Sequence, residues 1–233
     1  KKCWDLGYCG MGCPTNAKQS MLLTTIPNAL YLGARLVSRL RVERLEFSGK
    51  QVSSLIASAL KDDGLNASGV RVTVKAHHYV LAGGAINSPA ILLRSKAPDP
   101  HEHLGRRTFL HPTLVSSGLF EQAVNAYAGA PQSVYSDHFL ENVAVDGPLG
   151  FKLEVPPLHP VLFSTTLHGY GAAHARLMKD FARSQTILAL VRDGFHPQSS
   201  GGQVKLRSDG SPLLDYKLND TFWDAARRAL LAM

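Results

Sequence analysis

The sequence predicts an α+β fold built in two parts, on three observations. Residues 34–75 alternate apolar and polar side chains in short runs broken by Gly, Asp and Ser, the period of strands joined by tight turns. The stretches Lys18–Leu32, Ile86–Ser95, Ala172–Ala182 and the one from about Asp220 read as helices among those strands. Beyond Leu104-Gly105 the character shifts to longer segments punctuated by Pro and His, which sets a boundary there and divides the chain into 1–105 and 106–233.

Composition fixes the class. The chain has 233 residues, 45% hydrophobic and 18% charged, enough apolar material for a packed core. Its net charge is +7, but the 25 Lys and Arg are dispersed in ones and twos with acidic neighbours such as Glu43 and Asp224. No basic stripe interleaved with aromatics occurs, so the reading excludes nucleic acid as a partner. Apolar runs such as Tyr79–Ala82 and Ile187–Val191 are far too short to span a bilayer. No secretory signal is present, which favours a soluble, cytoplasmic protein. The first residue is not Met, and Ala229–Met233 ends on an apolar helical face without a Gly or Pro stop, so the expectation is an internal fragment of a longer protein.

The elements follow in order. In Lys18–Leu32, Met21, Leu22, Thr25 and Ala29 recur at helical spacing, Pro27 argues for a kink or a break partway along, and Gly33 supplies a stop. Strand pattern runs from Ala34 through Leu36, Leu40, Val42 and Phe47 to a Ser-Gly-Lys turn, and resumes at Gln51–Ile56. After turn material at Asp62–Gly69, Val70, Val72 and Val74 alternate with Arg71, Thr73 and Lys75, the pattern of a half-buried strand. His77–Ala82 reads as a buried strand ending in Gly83-Gly84, with a helix at Ile86–Ser95 whose Pro89 is tolerated near the first turn. In the second part, Phe109–Phe120, Gly150–Val155 and Thr186–Arg192 are segments of the same sort. Gln203–Tyr216 is a hairpin turned at Asp209-Gly210. Asn66-Ala67-Ser68 reads as turn chemistry, and Ser199–Gly202 as a flexible loop.

The strand–Gly–Gly–helix unit at Val80–Ser95 carries the strongest functional signal. Two glycines admit a close ligand, and the helix start at Ser88-Pro89 offers free N–H groups to an anion. A tight crossover that binds nothing would use the same residues. No Gly-x-Gly-x-x-Gly fingerprint accompanies it, so no complete dinucleotide-binding unit is present.

The segment Gly84-Ala-Ile-Asn-Ser-Pro-Ala-Ile-Leu-Leu-Arg-Ser95 resembles the second signature of the glucose–methanol–choline (GMC) flavoprotein oxidoreductases. Twelve positions fit, and Lys96-Ala97-Pro98 departs from that signature's closing Gly-aliphatic-Gly. Lys18-Gln19-Ser20 is similar to the family's Arg-x-Ser helix, and Arg41–Leu45 to its adenine-side strand. Leu104–Arg106 with Leu110–Pro112 resembles the crossing into the family's substrate domain. Glu154–Pro160 and the Gln203–Tyr216 hairpin resemble its bacterial long-chain alcohol oxidase and dehydrogenase branch.

The resemblance implies part of a Rossmann-like FAD-binding domain, then an antiparallel-sheet substrate domain backed by helices. It implies FAD as cofactor, with Val42, Ala82, Gly83, Gly84 and Ser88 as cofactor-binding residues. It implies oxidation of the CH–OH group of an alcohol by hydride transfer to flavin, with a possible electron acceptor as a further partner. The family's catalytic His-Pro segment is missing; His111-Pro112 and His159-Pro160 read instead as structural histidines beside Pro-fixed turns. No catalytic residue is assigned, and the fragment alone is expected to be inactive.

All three cysteines, Cys3, Cys9 and Cys13, fall in the first thirteen residues, with five and then three residues between them. A disulfide would leave one over, and a zinc site would need a fourth ligand. Thiolates on a Gly-rich turn also suit an iron–sulfur cluster of the three-iron kind. Their spacing is similar to that of FAD-dependent glucose dehydrogenases in the same family. On this alternative the chain is a non-catalytic electron-transfer module; on the plainer one the thiols line a buried turn.

Overall fold

The computed structural model describes residues 2–130 and 132–233. In chain order the elements are α1 (Thr25–Tyr31), β1 (Leu40–Ser48), β2 (Gln51–Leu60), β3 (Ala67–Val74) and α2 (Gly84–Arg94). They continue with β4 (Thr113–Leu119), β5 (Tyr135–Ser136), α3 (His138–Glu141), β6 (Phe151–Glu154), α4 (Pro160–Thr166) and α5 (Gly171–Lys179). The last are β7 (Ser184–Val191), β8 (Gln203–Leu206), β9 (Pro212–Asp215) and α6 (Asp220–Ala232). Helix and sheet are mixed as expected, and every pairing between these strands is antiparallel.

Two units share the chain. One comprises Lys1–Ala34, His111–Ser199 and Leu218–Met233; the other comprises Arg35–Leu110 and Ser200–Lys217.

In the Arg35–Leu110 unit, β1, β2 and β3 form a three-stranded sheet in sequence order. The β1–β2 hairpin closes on Gly49, whose φ of +61° is the positive value that two-residue hairpin loops demand. The β2–β3 turn is held by Asp63, whose carboxylate accepts from the backbone N–H of Leu65 (2.8 Å) and Asn66 (3.0 Å) and from Asn66 Nδ2 (2.8 Å). The Asn66 amide is therefore engaged in turn chemistry, as expected. Helix α2 packs on β1 and on the β8–β9 hairpin through its buried Ala90 and Ile91.

The other unit is a four-stranded sheet in the order β4-β7-β6-β5. Its core joins Leu149, Phe151, Ala189 and Val191 to Phe222, Ala225, Ala226 and Ala229 of α6. The three alanines carry no bulk beyond Cβ, so α6 lies close on the sheet and Phe151 and Val191 fill the space beneath it. Asn219 caps α6, its Oδ1 accepting from Phe222 N–H at 3.1 Å.

Several expectations are corrected. The helix expected over Lys18–Leu32 forms only from Thr25. Pro27 occupies its first turn, where no N–H is needed, and the proline ring bars helix over the carbonyl four residues upstream. Its end matches the reading: Gly33 takes φ +94°, and Gly33 N–H and Ala34 N–H close on Leu30 O and Ala29 O, a Schellman motif. The helix expected from Ile86 begins at Gly84, so Pro89 lies a full turn inside it. Strand β3 forms, but Val70 and Val74 are exposed on this edge strand of the sheet. His77–Ala82 is not a strand: none of its residues joins a ladder, and Val80 is 91% exposed. An apolar run without a neighbouring strand has nothing to satisfy its backbone in a sheet. Ser199, expected in a flexible loop, is buried, and its hydroxyl donates to the Asp193 carboxylate.

Candidate functional site

The site grows from the junction of α2 with β1. Strand β1 lies at one edge of its sheet, and a bulge between Val42 and Arg44 interrupts its ladder with β2. Two residues at the end of α2 fix the helix against that irregular stretch. Arg94 Nε donates to Glu43 O at 2.8 Å, and Ser95 Oγ accepts from Leu45 N–H at 2.8 Å while donating to Ile91 O. Between strand and helix lies a hollow of about 680 Å³, a volume in the range of small-molecule sites.

Val42, Arg41 and Glu43 line the hollow from β1, and Asn87, Ile91 and Arg94 line it from α2. Asp209–Pro212, at the tip of the β8–β9 hairpin, close a third side. Its charges are balanced: Arg41 Nε lies 3.1 Å from Glu43 Oε1. The Asp209 carboxyl is held below the usual carboxylate range, chiefly by the Ser211 hydroxyl and then by Ser211 N–H. Such a lining suits a neutral heterocycle with polar edges better than a bare ion.

The helix start completes the picture. Gly83 is the N-cap of α2, with no side chain capping the helix and no acidic residue in its first turn. The first N–H groups of an α-helix have no intrahelical acceptors and favour negative charge. Gly84 has φ +80°, a conformation L side chains rarely adopt, and a Cβ there would point into open space. Gly83 is close-packed instead, an added Cβ meeting Ser88 N and Oγ at 3.3 Å. These features fit an anionic group such as a phosphate at the helix start.

Of the cofactor residues expected from the sequence, Val42 lines the hollow, while Gly83, Gly84 and Ser88 stand at the start of α2, with Ala82 just before it. Sequence reading missed Asn87, Ile91 and Arg94, although their i, i+4, i+7 spacing marks one face of α2. The turn at Asp209-Gly210 was readable, but its place at this hollow had no local signal, since it arrives from more than a hundred residues away.

The cysteines belong to the other unit. Cys3, Cys9 and Cys13 are free thiols, Cys3 exposed and the other two half-buried. Among the described residues no group of three or more His, Cys, Asp or Glu is placed to hold a metal ion. The Cys13 thiol is lowered to about 7, first by the Thr15 hydroxyl 3.4 Å from its sulfur and then by the backbone N–H of Lys18. His159 caps the start of α4: its Nδ1 accepts from Val161 N–H, with Pro160 at the first helical position. Among the described residues no helix is long and apolar enough to cross a membrane.

Comparison with known proteins agrees with the motif. Residues 1–113 match the family model described as GMC oxidoreductase. An uncharacterized GMC-type oxidoreductase of Sinorhizobium fredii is 26% identical over 96% of this chain and 41% of its own length. Another, from Mycobacterium tuberculosis, is 33% identical over 82% of this chain and 28% of its own length. A long-chain-alcohol oxidase of Arabidopsis thaliana is 25% identical over 85% of this chain and 27% of its own length. The chain thus spans well under half of each relative. The likeness to the GMC oxidoreductases read from Gly84–Ser95 thus extends over residues 1–113.

Proposed function

We propose that this chain forms the adenosine-side and substrate-side portions of an FAD-dependent oxidoreductase that oxidises the CH–OH group of an alcohol. The observation that carries the reading is the uncapped start of α2 over Gly83-Gly84, beside the hollow that Val42 lines. Bound FAD supplies the hydride-accepting chemistry, and the protein supplies binding and orientation. On this reading Val42 pairs with Ala57 of β2 and, because β1 is an edge strand, keeps its outer side for the polar edge of adenine. Gly84 and the first N–H groups of α2 receive phosphate oxygens, with Ala82 and Ser88 flanking them. This portion is read as part of a Rossmann-like domain. The antiparallel sheet of the other unit supplies walls for the substrate, and no residue here is assigned the proton transfer.

The alcohol substrate rests on the printed name of the Arabidopsis relatives. An acceptor that reoxidises the flavin, oxygen or an electron carrier, completes the proposed reaction. The alternative of a cysteine-ligated cluster has no observation in its favour. The test is titration of ADP, the adenosine-side fragment of FAD, into isotope-labelled chain. Amide shifts at Val42, Gly83, Gly84 and Ser88, lost in Gly84→Val, are the expected result. Saturating ADP that leaves those four amides unmoved removes the assignment.

A further inference from the structure

The polar side chains lining the hollow between β1 and α2 are Arg41, Glu43, Asn87, Arg94, Asp209 and Ser211. All but one are engaged within the protein. Arg41 donates from Nε to Glu43 Oε1 at 3.1 Å and from Nη1 to Leu65 O at 3.4 Å. Arg94 donates to Glu43 O and to Gly210 O. Asp209 Oδ1 accepts from Ser211 N–H at 2.9 Å and from Ser211 Oγ at 2.7 Å. The side chain of Asn87 makes no hydrogen bond among the described residues, and it is exposed.

We propose that Asn87 makes this hollow selective for adenine over guanine, its carboxamide pairing with the N6 and N7 edge of the base. The inference rests on the flavin reading above and deepens it by naming the side chain that chooses the base.

Position and chemistry agree. Asn87 lies one turn before Ile91 on the face of α2 that lines the hollow. Its Cβ is 3.4 Å from the place a Cβ would take on Gly83, so it also stands beside the helix start. A carboxamide carries an acceptor, Oδ1, next to a donor, Nδ2. Adenine offers the complement, an N6 hydrogen for Oδ1 and a lone pair on N7 for Nδ2. Guanine offers O6 and N7, two acceptors, and leaves Oδ1 nothing to accept on that edge. A desolvated polar atom without a partner weakens binding. The side chains that would favour guanine are Arg41 and Arg94, and both are held by Glu43 and by backbone carbonyls instead. Adenine N6 bears two hydrogens, so pairing with Asn87 leaves one for the outer side of β1 at Val42.

The test titrates ADP, GDP and 7-deaza-ADP, which lacks N7, into the chain, with affinity measured by calorimetry. ADP should bind about 5- to 150-fold more tightly than GDP, the discrimination of a bidentate carboxamide pair. Loss of N7 should weaken binding about two- to tenfold, the share of one hydrogen bond. Asn87→Leu should bind ADP and 7-deaza-ADP alike and narrow the preference for ADP over GDP. Its thermal midpoint should stay in place, since Asn87 has no hydrogen bond within the protein to lose. A parent chain that binds ADP and GDP equally overturns the proposal, as does an Asn87→Leu variant that keeps the parent's ratio. So does equal binding of ADP and 7-deaza-ADP by the parent, a comparison that does not depend on the variant folding. The two readings fail separately. Unmoved amides at Val42, Gly83, Gly84 and Ser88 under saturating ADP remove the flavin assignment and this one with it. Shifted amides with no preference for ADP over GDP remove the role of Asn87 alone.

Discussion

Arg94 donates from Nε to the backbone carbonyl of Glu43 at 2.8 Å, and the same guanidinium reaches Gly210 O from Nη1 at 3.2 Å. One planar fork thus ties the last turn of α2 to the bulge of β1 and to the tip of the β8–β9 hairpin, the three walls of the candidate cofactor hollow. A lysine ammonium is a point charge on a flexible stem and cannot hold both carbonyls in that geometry. Arg94→Lys should therefore cost about 1–3 kcal/mol, the loss of a charge-assisted hydrogen bond at a partly buried site. Urea unfolding measures it. A variant as stable as the parent would mean that the hairpin tip is held by packing instead.

Ser95 makes a second tie a residue away. Its hydroxyl accepts from Leu45 N–H and donates to Ile91 O, so Ser95→Ala leaves the amide of a buried strand residue without its acceptor. The penalty expected for an unsatisfied buried donor is about 1–3 kcal/mol. Hydrogen exchange at the Leu45 amide is the specific readout. It should speed up in the variant by more than the global loss of stability accounts for.

Phe151 is 1% exposed, stacks on Phe139 at 4.6 Å between ring centroids, and lies beneath the alanine face of α6. Phe151→Ala removes a ring from a site where alanines cannot collapse inward to refill it. A loss of about 3–5 kcal/mol follows from transfer and cavity terms together. Thermal unfolding checks it, and a loss below about 1 kcal/mol would show that α6 does settle onto the sheet.

What the sequence made legible divides along physical lines. Local chemistry was readable: the Gly33 stop, the Gly49 hairpin, the Asp209-Gly210 turn and the start of α6 near Asp220 depend on near neighbours only. The Gly83-Gly84 motif was readable too, because it is contiguous, but the helix begins at Gly84 and not at Ile86. Burial was not. Val70, Val72 and Val74 alternate as a half-buried strand should, yet which face of a sheet is covered is a tertiary fact that alternation cannot carry. His77–Ala82 failed for the same reason: an apolar run needs a partner strand before it can be one. The hollow beside Val42 was half legible, its α2 side written at i, i+4, i+7 and its Asp209–Pro212 side supplied by a distant hairpin.

Cys13 offers a test that turns on pH. Its thiol is lowered to about 7 by the Thr15 hydroxyl first, then by the Lys18 amide, with desolvation opposing. The thiolate is the reactive form, and its fraction rises with pH through the thiol's pKa. In the folded chain, iodoacetamide labelling of Cys13 should therefore reach half its limiting rate near pH 7. In urea-unfolded chain the midpoint should move up to about 8.5, the ordinary range for cysteine. Thr15→Val deletes the largest stabilising contact and should shift the folded midpoint upward, toward the unfolded value. Peptide-resolved mass spectrometry separates Cys13 from Cys3 and Cys9. Coincident midpoints for folded and unfolded chain would show that the turn through Thr15 and Lys18 does not hold the thiolate.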